Sequence, residues 1–235
     1  MADIRQELID FARLMGRAGL NRGTAGNLSV RKGHGFWITP TGLDYDTLTP
    51  DDIVFVNSDG SSTGMRQPSS EWRFHHDLYL ARPEAGAVLH AHSPCATALA
   101  CLRREIPPFH YMIARFGGDT VRCADYATFG TQQLSDNALK AMDGRNACLL
   151  ANHGLLVFGR SLKQAFDLGV ELEALCEQYV LARQVGEPVL LDAAEMQVMQ
   201  EKFRSYGQQR NARRRAFRPR RRQRWLQLPP PAAAA

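Results

Sequence analysis

The order in which short apolar runs and helical periodicities succeed one another constrains this chain more than any other feature. Asp3 to Ala18 carries Ile4, Leu8, Phe11, Ala12 and Met15 at three- and four-residue spacings, which predicts an amphipathic helix that stops near Gly19. Three short strands follow, Leu28 to Arg31, Phe36 to Thr39 and Ile53 to Asn57, punctuated by glycine, proline and aspartate turns. A helix from Ser69 to Leu80, with a serine as N-cap and Glu71 in its first turn, precedes the buried strand Ala87 to Ala91. Helices are predicted over Pro94 to Cys101, Leu134 to Met142, Ser161 to Val185 and Ala193 to Tyr206, strands over Ala147 to Ala151 and Leu155 to Phe158. Ile106 to Gly130 reads as loop. Strands and helices mix without strict βαβ alternation. The expected fold is therefore an α/β three-layer sandwich with a largely antiparallel central sheet flanked by helices, and not a doubly wound one.

A length of 235 residues suits one sizeable domain, and 44% hydrophobic with 23% charged residues is ordinary for a globular protein. No apolar run approaches the roughly 20 residues that span a bilayer. The first residues lack the pattern of a signal peptide, and five cysteines without a C-x-x-C pair fit a reducing compartment, so a cytoplasmic protein is expected. The pI of about 9.1 suggests nucleic acid, but its source is local. Nine arginines and no acid lie between Arg210 and Arg224; without them 20 basic residues face 24 acids, and the body is near −4. Residues 1–207 thus read as one catalytic domain and 208–235, ending in LPPPAAAA, as an Arg-rich, low-complexity tail whose default state is disorder. The tail is either a solvated extension or an arm for RNA or a membrane surface. Nothing in the body supports a nucleic-acid site.

His90-Ala91-His92 is the strongest local signal for chemistry. Residues two apart in a strand share a face, so both imidazoles can reach one ion. His153, just past the strand that ends at Ala151, is a third candidate, and three histidines leave a coordination position open, as catalytic zinc requires. The pattern alone also admits a structural pair of histidines. His34, His75, His76 and His110 read as surface or loop residues. Glu71 is the candidate acid–base, or else a plain acid in a first helical turn. The loop Gly23 to Asn27, the turn Thr41-Gly42 and the pair Ser69-Ser70 offer small residues, free N–H groups and hydroxyls to a phosphate. Neither glycine-rich nucleotide fingerprint is present. Lys32, Lys140, Lys163 and Lys202 are the four lysines, and none sits in an apolar strand where burial would prepare it for Schiff-base chemistry.

Taken together, GLNRGTAGNLSVR, ITPTGLDYDTLT, PSSEWRFH, VLHAHS, IPPFHYMIARFGG, CADYATFGT, NHGLLVFG and EKFRSYG resemble the class II aldolase/adducin family, nearest its L-fuculose-1-phosphate branch. The resemblance implies a zinc-dependent aldolase that cleaves a ketose 1-phosphate to dihydroxyacetone phosphate and an aldehyde, L-lactaldehyde in the fuculose case. It implies His90, His92 and His153 as zinc ligands, with Glu71 as the catalytic acid–base that also ligates zinc when substrate is absent. Thr24, Asn27, Thr41, Gly42, Ser69 and Ser70 would grip the substrate phosphate. Tyr111 would donate a proton from a neighbouring subunit of a cyclic homotetramer, and Phe129 and Tyr206 would shape the aldehyde end of the pocket. Asn152 departs from the pattern, standing where the fuculose branch carries another histidine.

The alternatives within the same fold are a sugar-phosphate 4-epimerase, a sugar-acid phosphate decarboxylase and a methylthioribulose-phosphate dehydratase, since fold alone does not fix the reaction. Outside enzymology stand an adducin-like assembly module and an RNA-binding protein led by the arginine tail. The intact histidine set with Glu71 speaks against the module, because a scaffold needs no open metal site.

Overall fold

A computed structural model describes residues 3–205. Tyr206 and the arginine-rich tail, and with them the expectations for an aldehyde-pocket tyrosine and a disordered extension, lie outside the described residues. The strands are β1 (Asn27–Lys32), β2 (Gly35–Ile38), β3 (Val54–Asn57), β4 (Ser62–Thr63), β5 (Ala87–Ala91), β6 (Cys123–Ala124), β7 (Ala147–Leu150) and β8 (Gly154–Gly159). The helices are α1 (Ile4–Arg17), α2 (Trp72–Ala81), α3 (Pro94–Cys101), α4 (Gln132–Ala141), α5 (Leu162–Val185) and α6 (Ala193–Ser205). One sheet in the order β4-β3-β2-β1-β5-β8-β7-β6 carries the fold. Its pairs are antiparallel except β6 with β7, which run parallel.

Alternation along each strand sorts side chains between two cores, because successive Cβ atoms point to opposite faces. Leu28, Val30, Ala87, Leu89, Leu149, Leu155 and Val157 pack with Leu8, Ala12, Leu99, Leu168 and Leu172, so α1, α3 and α5 cover one face. Phe36, Ile38, Val54, Val88, Cys148, Leu156 and Phe158 pack with Phe74, Leu78, Leu134 and Ala138, so α2 and α4 cover the other. This is the α/β layered architecture expected from the order of elements. The strands buried on both faces lack a polar alternation, which is why they read as short continuous apolar runs.

Three local expectations are corrected. The helix expected from Ser69 begins at Trp72, and Glu71 occupies its N-cap position without a capping bond from its side chain. A tight turn closed by the Trp72 N–H on the Ser69 carbonyl (3.0 Å) uses up the intervening residues. The loop-rich middle contains a 3-10 turn over Tyr111–Phe116 and the two-residue strand β6. His75 is fully buried in α2 and is not a surface residue.

Candidate metal centre and cleft

Antiparallel pairing brings the candidate residues to one end of the sheet. Asn27 at the start of β1 pairs with His90 near the end of β5, and Ala91 pairs with Leu155 at the start of β8. His92 follows β5 directly, and His153 sits in the turn from β7 to β8. That turn closes because Asn152 adopts a left-handed conformation (φ 54°), which asparagine tolerates better than most residues. Arg103 donates to Asn152 Oδ1 at 2.8 Å, and the His153 N–H reaches the Leu150 carbonyl at 3.0 Å. Gly154 is needed for proximity: a Cβ there would lie 2.3 Å from the Ala91 carbonyl oxygen and 3.1 Å from the His92 ring.

The ligand atoms of Glu71, His90, His92 and His153 all lie within 4.8 Å of one another. His90 Nε2 stands 3.2 Å from Glu71 Oε2 and 2.8 Å from His92 Nε2, while His153 Nε2 stands 3.1 Å from Glu71 Oε1. His90 Nδ1 is 2.8 Å from the Leu155 carbonyl oxygen, which can only accept, so the proton is on Nδ1 and the Nε2 lone pair faces the cluster. Glu71 Oε1 is buried and makes no hydrogen bond. Several lone pairs thus converge with too few protons between them. Four ligands at about 2.0–2.1 Å around a tetrahedral ion stand roughly 3.3 Å apart. The donor set, its spacing and the orphaned carboxylate oxygen all fit a divalent metal.

Charge in the cluster follows the same logic. Burial alone would raise the Glu71 carboxyl, but the neighbouring His90 and His153 outweigh it and hold it well below the usual carboxylate range. His92 is lowered to about 4, first by desolvation of its inner part and then by His90 and His153. A neutral His92 beside an ionised Glu71 suits a metal site, whose ligands must be deprotonated.

A cleft of about 350 Å³ opens at the cluster, lined by Glu71, His92 and His153 together with Thr24, Asn27, Thr41, Gly42, Ser69 and Ser70. Hydrogen bonds tie the loops that carry several of these residues. The Thr41 N–H donates to the Gln67 carbonyl (3.2 Å), the Ser69 N–H to the Thr39 carbonyl (3.1 Å) and the Leu28 N–H to Thr39 Oγ1 (3.2 Å). Phe129 stands at the mouth with Tyr126 and Ala127. Gly130 lets that segment lie on the Ser70 carbonyl, where a Cβ would come within 2.7 Å.

Asn27 and Tyr111 have particular surroundings. Asn27 lines the cleft, yet its amide is committed on both ends, to Glu71 and to His75. Tyr111 is absent from the cleft of its own chain. It is 47% exposed on the 3-10 turn, its ring parallel to Phe203 at 6.3 Å between centroids. All four lysines are exposed and none lines the cleft. His75 is the polar residue of this region that periodicity missed, since a histidine at a core-facing helical position looks like any other apolar-face residue. No helix among the described residues is long and apolar enough to cross a membrane.

A helix-flanked, mostly antiparallel sheet with a three-histidine, one-carboxylate centre beside a cleft of about 350 Å³ has the form of a metal-site lyase of the class II aldolase type. The chain belongs to the family described as class II aldolase and adducin N-terminal domain, which it matches over residues 6–180. It is 56% identical over 204 residues to the 5-methylthioribulose-1-phosphate/5-deoxyribulose-1-phosphate aldolase of Rhodospirillum rubrum, covering 87% of this chain and 92% of the relative. It is 45% identical over 205 residues to the L-fuculose phosphate aldolase of Escherichia coli, covering 87% and 95%. Among solved structures, an L-fuculose 1-phosphate aldolase superposes with a TM-score of 0.84 at 45% identity, covering 87% of this chain and 97% of that one. The chain is a class II aldolase.

Proposed function

We propose that the chain reversibly cleaves the C3–C4 bond of a ketose 1-phosphate, with 5-methylthioribulose 1-phosphate and 5-deoxyribulose 1-phosphate as its first substrates. The observation that carries the reaction is the cluster of Glu71, His90, His92 and His153 facing Thr24, Thr41, Gly42, Ser69 and Ser70 across one cleft. The 56% relative supports these substrates. L-fuculose 1-phosphate, the sequence-based expectation, is the second reading, supported by the Escherichia coli relative and the superposed structure. All three substrates give dihydroxyacetone phosphate and differ in the aldehyde released.

The phosphate-facing hydroxyls and N–H groups orient the substrate, so that its reacting carbons lie over the metal centre. A divalent cation held by His90, His92 and His153, zinc in this reading, supplies the positive charge that offsets the negative charge developing beside the ketose carbonyl. Glu71 handles the proton at C3: it removes it in the synthetic direction and returns it after cleavage. Tyr111, exposed and away from its own cleft, serves the cleft of a neighbouring subunit in a cyclic homotetramer and protonates the new alkoxide in synthesis. Phe129, with Tyr206, borders the aldehyde. The reading places the enzyme in the cytoplasm, in keeping with five free cysteines.

The test is turnover of the three ketose phosphates by purified protein, following dihydroxyacetone phosphate, with and without chelator and with zinc restored. Chelator-sensitive cleavage, highest kcat/KM on the 5-deoxy or 5-methylthio sugar, supports the proposal. Preference for L-fuculose 1-phosphate moves the assignment to the second reading. A zinc-loaded protein that cleaves none of them overturns the ketose 1-phosphate assignment.

A further inference from the structure

Beside the metal centre, four polar side chains form a continuous chain of hydrogen bonds that starts at Asn27 on the cleft lining and runs into the interior. Asn27 Nδ2 donates to Glu71 Oε2 at 3.0 Å. Asn27 Oδ1 meets His75 Nε2 at 2.6 Å, His75 Nδ1 meets Ser29 Oγ at 2.7 Å, and Ser29 Oγ meets the Tyr79 hydroxyl at 2.8 Å. Asn27, Ser29, His75 and Tyr79 are all buried, His75 completely. The four sit on two elements only, β1 and α2, and Glu71 is the N-cap residue of α2.

The direction of this chain follows from its end. An ionised carboxylate only accepts, so the Asn27 amide must turn its NH₂ to Glu71 and its oxygen to His75. His75 Nε2 must then donate, which leaves Nδ1 as acceptor in the neutral ring. Ser29 must give its proton to Nδ1, and its oxygen is left to accept from Tyr79. Every donor therefore points toward Glu71, and no link can reverse without placing two acceptors in contact. Burial independently keeps His75 in the neutral form this requires, lowering it to about 3. The far end is anchored: Arg31 lies over the Tyr79 ring at 4.7 Å and donates to the carbonyls of Tyr79, Arg82 and Ala85.

We propose that His75 is a positioning residue for the metal centre, which through Asn27 holds the Glu71 carboxylate against His90, His92 and His153. This rests on reading that cluster as a metal site. Packing alone does not require a histidine here. His75 stacks between Phe36 and Phe74, with ring centroids at 6.5 and 4.9 Å, a setting an apolar ring would fill as well. What an apolar ring lacks is the donor that fixes Asn27 Oδ1. Groups that orient metal ligands typically cost 10–100-fold in metal affinity or activity when removed.

The experiment contrasts His75→Gln with His75→Asn in the full-length protein. Glutamine carries an N–H near the Nε2 position, whereas the shorter asparagine reaches only about as far as Nδ1. Zinc affinity by competition with a coloured chelator, kcat, and the melting temperature of the metal-free protein are read for each. His75→Asn is expected to lose about tenfold in both zinc affinity and kcat, and His75→Gln to stay within about threefold of the parent. Equal losses in the two variants that follow their melting temperatures, or unchanged zinc affinity in both, overturn the proposal. Nitrogen-15 spectra of histidine-labelled parent protein give a reading that needs no variant: a proton on His75 Nε2 is expected, and one on Nδ1 overturns the proposal. If the parent cleaves no ketose phosphate while zinc affinity still separates the two variants, the substrate assignment fails and the positioning role stands.

Discussion

Asn27 and His90 are cross-strand partners that converge on one atom: Asn27 Nδ2 and His90 Nε2 stand 3.0 and 3.2 Å from Glu71 Oε2. The carboxylate is thus gripped from the two strands beneath it, and its other oxygen is left without a hydrogen bond. Glu71→Gln keeps the shape and the bond from Asn27 but removes the base. We expect kcat to fall about 10²–10⁴-fold with the fold intact, the span typical of a lost general acid–base. Steady-state kinetics beside a thermal melt check this, and a loss below tenfold would move the proton-transfer role elsewhere.

Gly154→Ala should injure the metal centre without touching a ligand. Its Cβ would clash with the Ala91 carbonyl at 2.3 Å and press on the His92 ring at 3.1 Å. Strand β8 must move or His92 must turn, so zinc affinity is expected to drop about tenfold or more. Metal content after dialysis against a weak chelator measures it.

The turn at Asn152 carries a smaller, separable cost. Asn152→Val forces a β-branched residue into the left-handed region, for about 1–2 kcal/mol of destabilisation, while Asn152→Gly should be nearly neutral there. Urea titration distinguishes the two variants.

Acid should unfold the protein partly through His75. The folded form holds this ring neutral down to about pH 3. An unfolded histidine protonates near pH ~6.5, so between these values the unfolded chain binds a proton that the native one refuses. Stability therefore falls as the pH drops through that window. In His75→Gln the slope of unfolding free energy against pH should lessen by about one proton there. An unchanged slope would mean the ring is charged inside the fold.

Much of this was legible in the residues. Period-3.6 patterns locate the six helices, and short apolar runs bounded by turn residues locate the six longer strands, because each buries enough apolar surface to leave a mark. Strands β4 and β6, two residues each, leave none. The three-residue connection Ala151-Asn152-His153 between β7 and β8 closes a hairpin that local propensity alone does not announce. His90 and His92 are legible from strand geometry and His153 from its place at a strand end, but Glu71 joins them as a ligand only through the family resemblance, since its proximity depends on the sheet order. His75 escaped notice because its meaning lies in partners 46 and 48 residues away.

The centre is assembled from distant parts of the chain. Asn27 meets Glu71 across 44 residues, and His90 meets Leu155 across 65. In folding terms these are long loop closures, which set a slow, late step. A nascent chain that has emerged as far as His92 carries two imidazoles and Glu71 but lacks the third histidine. Only after β8 has zipped onto β5 does His153 arrive. Metal capture should therefore be a post-closure event, a timer that reports completion of the sheet and does not seed it.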